Sequence, residues 1–290
     1  MKRSLAALLV ALTATLPPPS SGAVPATPPP EGPMIIAHRA GTADFPENTI
    51  LAITNAVDAG ADGLWLTVQA SSDGVAVLYR PSDLATLTDA AGPVNTKTAA
   101  ELQRLNVGWT GQPAPIPTLE QAIGVVPAGM PLFLDLKQRP AGPVVSAVAD
   151  VLRRTGAIAR TTIYSTETEI TDRALQQGDL IVAESRDLTR QRLLNLALAH
   201  RCEPPPRPGT WAGFELHREL TVTEQFTLGA GASEVVADLW DPESVQCFTS
   251  APGSRVLGFA VNTEDDYRLA TKIGLDAVLV DSPRAARQWR

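Results

Sequence analysis

From Met34 onward, short apolar runs alternate with longer amphipathic ones. MIIAH is followed by NTILAITNAVDAG, DGLWLTVQ with a second run VAVLY, PLFLDLK and GPVVSAVADVLRRTG. TTIYS, EITDRALQQG, LIVAE, TRQRLLNLALAH, SRVLGFAV, TEDDYRLATKIG and DAVLV complete the series. Strand and helix in alternation predict a parallel sheet covered by helices. The strands number eight or nine, depending on whether WAGFEL and SEVVAD are counted. Eight parallel strands close into a TIM (β/α)8 barrel. A doubly wound open sheet is the alternative, but it carries a Gly-rich phosphate turn after its first strand, and HRAGTADFPENT is not one.

The period of two within a strand assigns faces. In DGLWLTVQ, Leu64, Leu66 and Val68 share the face that suits a helix layer, which turns Gly63, Trp65, Thr67 and Gln69 toward the barrel interior. In PLFLDLK the same rule places Phe133, Asp135 and Lys137 inside and Leu132, Leu134 and Leu136 outside.

The segment before Met34 follows a different pattern. Lys2 and Arg3 precede an apolar run from Leu5 to Leu16, and Ser21-Gly22-Ala23 supplies small residues for cleavage, so residues 1–23 read as an export signal. That run is about a dozen residues, short of the roughly 20 a membrane-spanning helix needs. VPATPPPEG then reads as a Pro-rich tether over 24–33, with the barrel occupying 34–290. The expected mature protein is secreted or extracytoplasmic, with no stable membrane anchor.

With 290 residues, 44% of them apolar, the chain can bury one large core. Its net charge of -7 is spread along the sequence and excludes the basic stripe that nucleic-acid binding requires. Cys202 and Cys247 could close a disulfide in an oxidising compartment or remain two buried thiols, and the sequence leaves both open. The Pro-rich stretch from Glu203 to Gly209 reads as a surface loop.

The motifs that carry chemistry lie near strand ends. His38-Arg39, Pro46-Glu47-Asn48-Thr49, Ile116-Pro117-Thr118-Leu119-Glu120, Asp135 with Lys137, Ala260-Val261-Asn262 and Val280-Asp281-Ser282-Pro283 together resemble the glycerophosphodiester phosphodiesterase family. The resemblance runs from about Met34 to the end and is weakest between Asp187 and Glu243. It implies a TIM barrel of the PLC-like phosphodiesterase type. It also implies hydrolysis of glycerophosphodiesters to glycerol 3-phosphate and an alcohol, using a Ca or Mg ion on oxygen ligands and two histidines that move protons.

This chain departs from that pattern. Trp65 and Thr67 stand where the family places a metal-binding Glu and Asp, Arg80 replaces the second histidine, and Pro81 replaces the Asp beside it. An indole offers only an N–H donor, a hydroxyl is a weak neutral ligand, and a guanidinium stays protonated. The resemblance therefore leaves His38 and Arg39 as the catalytic positions, and Glu47, Trp65, Arg80 and Lys137 as substrate-binding ones. Asp135 is a weak metal position, and no cofactor is expected. Asn48 stands where a helix cap is wanted.

The expected ligand is small and phosphate-bearing, and it is choline-containing if the Trp65 ring offers an open face to a quaternary ammonium. Two functions compete. One is a catalytically impaired barrel that keeps an anion-binding mouth. The other is an active hydrolase, metal-independent or weakly metal-dependent, in which Arg39, Arg80 and Lys137 supply the missing positive charge. Glu215 and His217, two apart in GFELHRE, are a candidate replacement metal pair, and His200 beside Arg201 reads as surface.

Overall fold

The computed structural model of the protein describes residues 32–109 and 111–290, so the export signal and the tether up to residue 31 lie outside the described residues. Eleven strands are present among them: β1 (Met34–His38), β2 (Gly63–Ala70), β3 (Ala76–Leu78), β4 (Leu132–Leu136), β5 (Thr161–Tyr164), β6 (Ile181–Val182), β7 (Trp211–Glu215), β8 (Arg218–Phe226), β9 (Gly229–Ala237), β10 (Arg255–Phe259) and β11 (Ala277–Val280). Eight pair in parallel in the order β6-β5-β4-β2-β1-β11-β10-β7. The ends of that path meet where the Glu184 N–H donates to the Trp211 carbonyl at 2.8 Å. The result is a nearly closed barrel in which chain order and spatial order agree.

The side-chain alternation follows the period of two. Leu64, Leu66 and Val68 of β2 and Leu132, Leu134 and Leu136 of β4 pack outward on helix residues such as Ile53, Val144 and Val148. Ile36, Trp65, Phe133, Tyr164, Leu257, Phe259 and Leu279 fill the interior. The VAVLY run forms β3, antiparallel to β2 with Val68 opposite Leu78. Beyond it, residues 79–109 and 111–118 make a long excursion between β3 and the helix Leu119–Val125, packed around an apolar cluster of Tyr79, Leu84, Val94, Leu102 and Ile116.

The two ambiguous runs separate. WAGFE is the barrel strand β7, whereas SEVVA lies in β9, which pairs antiparallel with β8 in a two-stranded hairpin outside the barrel sheet. Cys202 and Cys247 form a disulfide that ties the start of the Pro-rich loop to the helix Pro242–Phe248. Deep beneath that loop, Arg192 pairs with Glu184 at 2.6 Å, both side chains almost wholly buried. No helix among the described residues is long and apolar enough to cross a membrane.

Candidate active site at the barrel mouth

A cavity of about 300 Å³ opens at the C-terminal ends of the parallel strands, where barrel enzymes place their chemistry. Every parallel strand, or the segment that follows it, contributes: His38 and Arg39 follow from β1, Trp65 from β2, Asp135 and Lys137 from β4, Tyr164 and Thr166 from β5. Arg186 comes from the first turn of the helix after β6, Glu215 from β7, Phe259 and Ala260 from β10, and Leu279 and Asp281 from β11. Arg80 reaches the same cavity from beyond β3.

His38 is held from both sides. Its Nδ1 lies 2.7 Å from Asp281 Oδ1, and Arg39 Nε donates to its Nε2 at 3.1 Å. The second bond makes Nε2 an acceptor, so the proton sits on Nδ1 and is donated to Asp281. The backbone turns sharply here, since Arg39 and Ala40 both adopt left-handed conformations at φ 48° and 67°. Asp281 also accepts from Thr42 Oγ1 and from Asn262 Nδ2. The His38 bond, with those of Thr42 and Asn262, holds the Asp281 carboxyl down at about 2 against its partial burial.

The PENT segment supports this pair from behind. Arg39 donates to Glu47, expected as a substrate-binding residue, whose other carboxylate oxygen is buried without a hydrogen-bond partner among the described residues. The helix cap is Thr49, whose side chain accepts from Ala52 N–H at 3.1 Å. Asn48, expected to cap, instead adopts φ 57° and accepts from Thr67 N–H at 2.9 Å, joining this loop to β2.

Trp65 lines the cavity but is only 4% exposed. Its ring packs against Phe133, Tyr164 and Phe259 at centroid distances of 6.0, 4.8 and 5.3 Å. The open indole face that a choline-bearing ligand would need is absent, because neighbouring rings cover it. Burial pushes the Tyr164 hydroxyl up to about 12, with Arg186 opposing, and that hydroxyl has no hydrogen-bond partner.

Asp135 and Lys137 form an ion pair at 3.3 Å, and Lys137 Nζ also donates to Thr166 Oγ1 at 2.8 Å. Burial raises the Asp135 carboxyl above its usual range, against the pull of Lys137, His38 and Arg80. The three positions where the family carries its metal thus present a packed indole, a buried Thr67 hydroxyl and one carboxylate already facing an ammonium group. That donor set does not fit a hard divalent cation, which takes six or more oxygens, several of them anionic.

Arg186 and Asp281 had no assigned role in the sequence reading. Arg186 pairs with Glu215 and lies 4.7 Å from the Phe214 ring centroid. It is the first residue of the helix that follows β6, the fifth parallel strand, and reaches the mouth only because the strands close into a ring. Glu215 and His217 are not brought together: Glu215 faces Arg186, while His217 sits between Asp238 at 2.6 Å and Asp266 at 3.1 Å. His200 is on the surface beside Glu243. Arg39, Lys137 and Arg186 each have a carboxylate partner, whereas Arg80 has none among the described residues.

An eight-stranded parallel barrel with histidine, carboxylates and four cations at its C-terminal mouth has the architecture of a phosphodiesterase. The chain belongs to the glycerophosphoryl diester phosphodiesterase family, whose model matches residues 38–285. A protein of Mycobacterium tuberculosis is 67% identical over 272 residues, 90% of each chain. The crystal structure of a glycerophosphoryl diester phosphodiesterase domain from that organism superposes with a TM-score of 0.84 at 66% identity, covering 89% of this chain and 99% of that one. A phosphodiesterase of Oleispira antarctica, in complex with the product sn-glycerol-3-phosphate, superposes with a TM-score of 0.67 at 25% identity, covering 89% of this chain and 96% of that one.

Proposed function

We propose that this chain is an exported, catalytically impaired member of its family whose mouth binds a small phosphate-bearing ligand. The carrying observation is the state of its proton-transfer groups. Both ring nitrogens of His38 are engaged, by Asp281 and by Arg39, and the second-histidine position holds Arg80, which cannot give up a proton at working pH. Groups that act as a unit lose most of their effect when one is removed.

The same replacements suit an anion. Arg80 carries an unpaired positive charge into the cavity beside Lys137, and guanidinium and ammonium groups are the usual partners of phosphate oxygens. The glycerol 3-phosphate bound by the Oleispira relative supports a phosphate-bearing ligand for this mouth. Export is supported by the signal-like first residues and by the Cys202–Cys247 disulfide, a bond that persists in oxidising compartments.

A second reading has one observation in its favour, the pairing of His38 with Asp281, which would stabilise an imidazolium formed during catalysis. In that reading Arg39 releases Nε2, His38 is the sole proton-transfer group, and the mouth cations replace the metal. One experiment separates the two. The purified protein is assayed for glycerol 3-phosphate release from glycerophosphodiesters with Ca²⁺, with Mg²⁺ and with EDTA, alongside calorimetric titration with sn-glycerol 3-phosphate. The expected result is binding without turnover. Hydrolysis insensitive to EDTA would establish the second reading, and EDTA-sensitive hydrolysis would overturn both.

A further inference from the structure

A second cavity, of about 570 Å³, adjoins the mouth and shares Arg80 and Lys137 with it. Its other lining residues are polar or charged, apart from Pro93. Gln69 and Gln138 form a fixed floor: Gln69 Nε2 donates to the Tyr79 and Pro81 carbonyls, each at 2.9 Å, and Gln138 clamps the Ala70 backbone at both N–H and C=O. Ser82 and Asn95 line the outer side and have no hydrogen-bond partner among the described residues. They belong to the excursion after β3, whose own apolar cluster keeps that wall in place.

We propose that this chamber receives the alcohol portion of a phosphodiester ligand, and that the alcohol is a polyol. The proposal rests on the anion-binding reading of the mouth: a phosphate held between Arg80 and Lys137 stands at the boundary of the two cavities, so its second ester arm points into the polar one. The chemistry of the walls selects among possible arms. A quaternary ammonium would meet Arg80, Lys137 and Arg139 with Glu167 as the lone carboxylate, itself paired with Arg139, and no aromatic face. An acyl chain would meet Pro93 as the one apolar residue of the lining and otherwise only the stems of charged and amide side chains, whose polar ends it would desolvate. Asn95 and Ser82 each offer both a donor and an acceptor, as does each hydroxyl of a polyol, so vicinal hydroxyls can be matched without burying a charge.

The test is calorimetric titration of the full chain with inorganic phosphate, glycerophosphoinositol and glycerophosphocholine. Glycerophosphoinositol is expected to bind about twentyfold more tightly than glycerophosphocholine, as two net hydrogen bonds of about 1 kcal/mol each would give. Asn95→Ala and Ser82→Ala, both on solvent-accessible positions, are each expected to weaken glycerophosphoinositol about fivefold and leave inorganic phosphate unchanged. Equal affinity for the two diesters, or unchanged glycerophosphoinositol binding in both variants, overturns the polyol chamber while phosphate binding keeps the anion-binding mouth. Failure of phosphate and of both diesters to bind overturns the mouth reading and the chamber with it.

Discussion

Asp281 Oδ1 lies 2.7 Å from His38 Nδ1, joining the end of the last parallel strand to the end of the first. Residues 243 apart in sequence meet because β1 and β11 are neighbours in the barrel, with Ala37 opposite Val280. The carboxylate fixes the imidazole tautomer and leaves Nε2 as the acceptor for Arg39.

This pair sets the behaviour in acid. A carboxyl depressed to about 2 contributes stability that is fully present above its unfolded value of about 4 and is lost as pH falls from about 4 toward about 2. Asp281→Asn removes that contribution, so its unfolding midpoint in urea should fall less steeply than that of the parent protein across this window. Parallel curves for the two proteins would show that the Asp281 carboxyl is not depressed in the folded protein.

The buried pair Arg192–Glu184 makes a sharper prediction. Both side chains are essentially inaccessible, and Arg192 also donates to the Pro204 and Pro205 carbonyls. Arg192→Met leaves Glu184 charged, buried and short of a partner, which should cost about 3–5 kcal/mol in chemical denaturation. Combining it with Glu184→Leu should recover most of that loss. A single variant as stable as the parent would mean that water reaches Glu184.

The Cys202–Cys247 disulfide closes a sequence separation of 45 residues that spans β7 and the exposed hairpin. Closing a loop of that size should stabilise the protein by roughly 2–4 kcal/mol, mainly by restricting the unfolded chain. The Cys202→Ala, Cys247→Ala double variant should therefore unfold at lower denaturant with a steeper slope, because its unfolded state is more expanded. An unchanged midpoint would show that the bond constrains nothing in the denatured ensemble.

The barrel was legible in the sequence because both of its periods were. Strands alternated with helices, and within β2 and β4 leucines marked the outer face while Trp65, Phe133 and Asp135 marked the inner one. SEVVA was ambiguous for a physical reason: a short apolar run reports strand propensity and burial on one face, not which sheet it joins. It joined β8 in a hairpin rather than the barrel.

The site was legible only in part. Motif spacing brought His38, Arg39, Asp135, Lys137 and Arg80 together, but not the supports they lean on. Asn48 gave its side chain to Thr67 rather than to a helix, and Glu47 is bonded to Arg39, a pairing the motif spacing did not announce. Arg186 and Asp281 gain their roles only once strands distant in sequence curl into a ring, a relation that no local pattern encodes.

The barrel also has a weak seam. All other neighbouring parallel strands share a paired register, but the two-residue β6 meets β7 through the single bond from Glu184 to Trp211. Glu184 is also the residue gripped by Arg192, so the side chain at the seam is clasped from the outer layer while its backbone closes the ring. Parting the strands at this joint requires breaking one backbone bond rather than a ladder. Arg186 begins the helix just past it, so the charge it presents to the mouth is carried by the least-bonded stave of the cylinder.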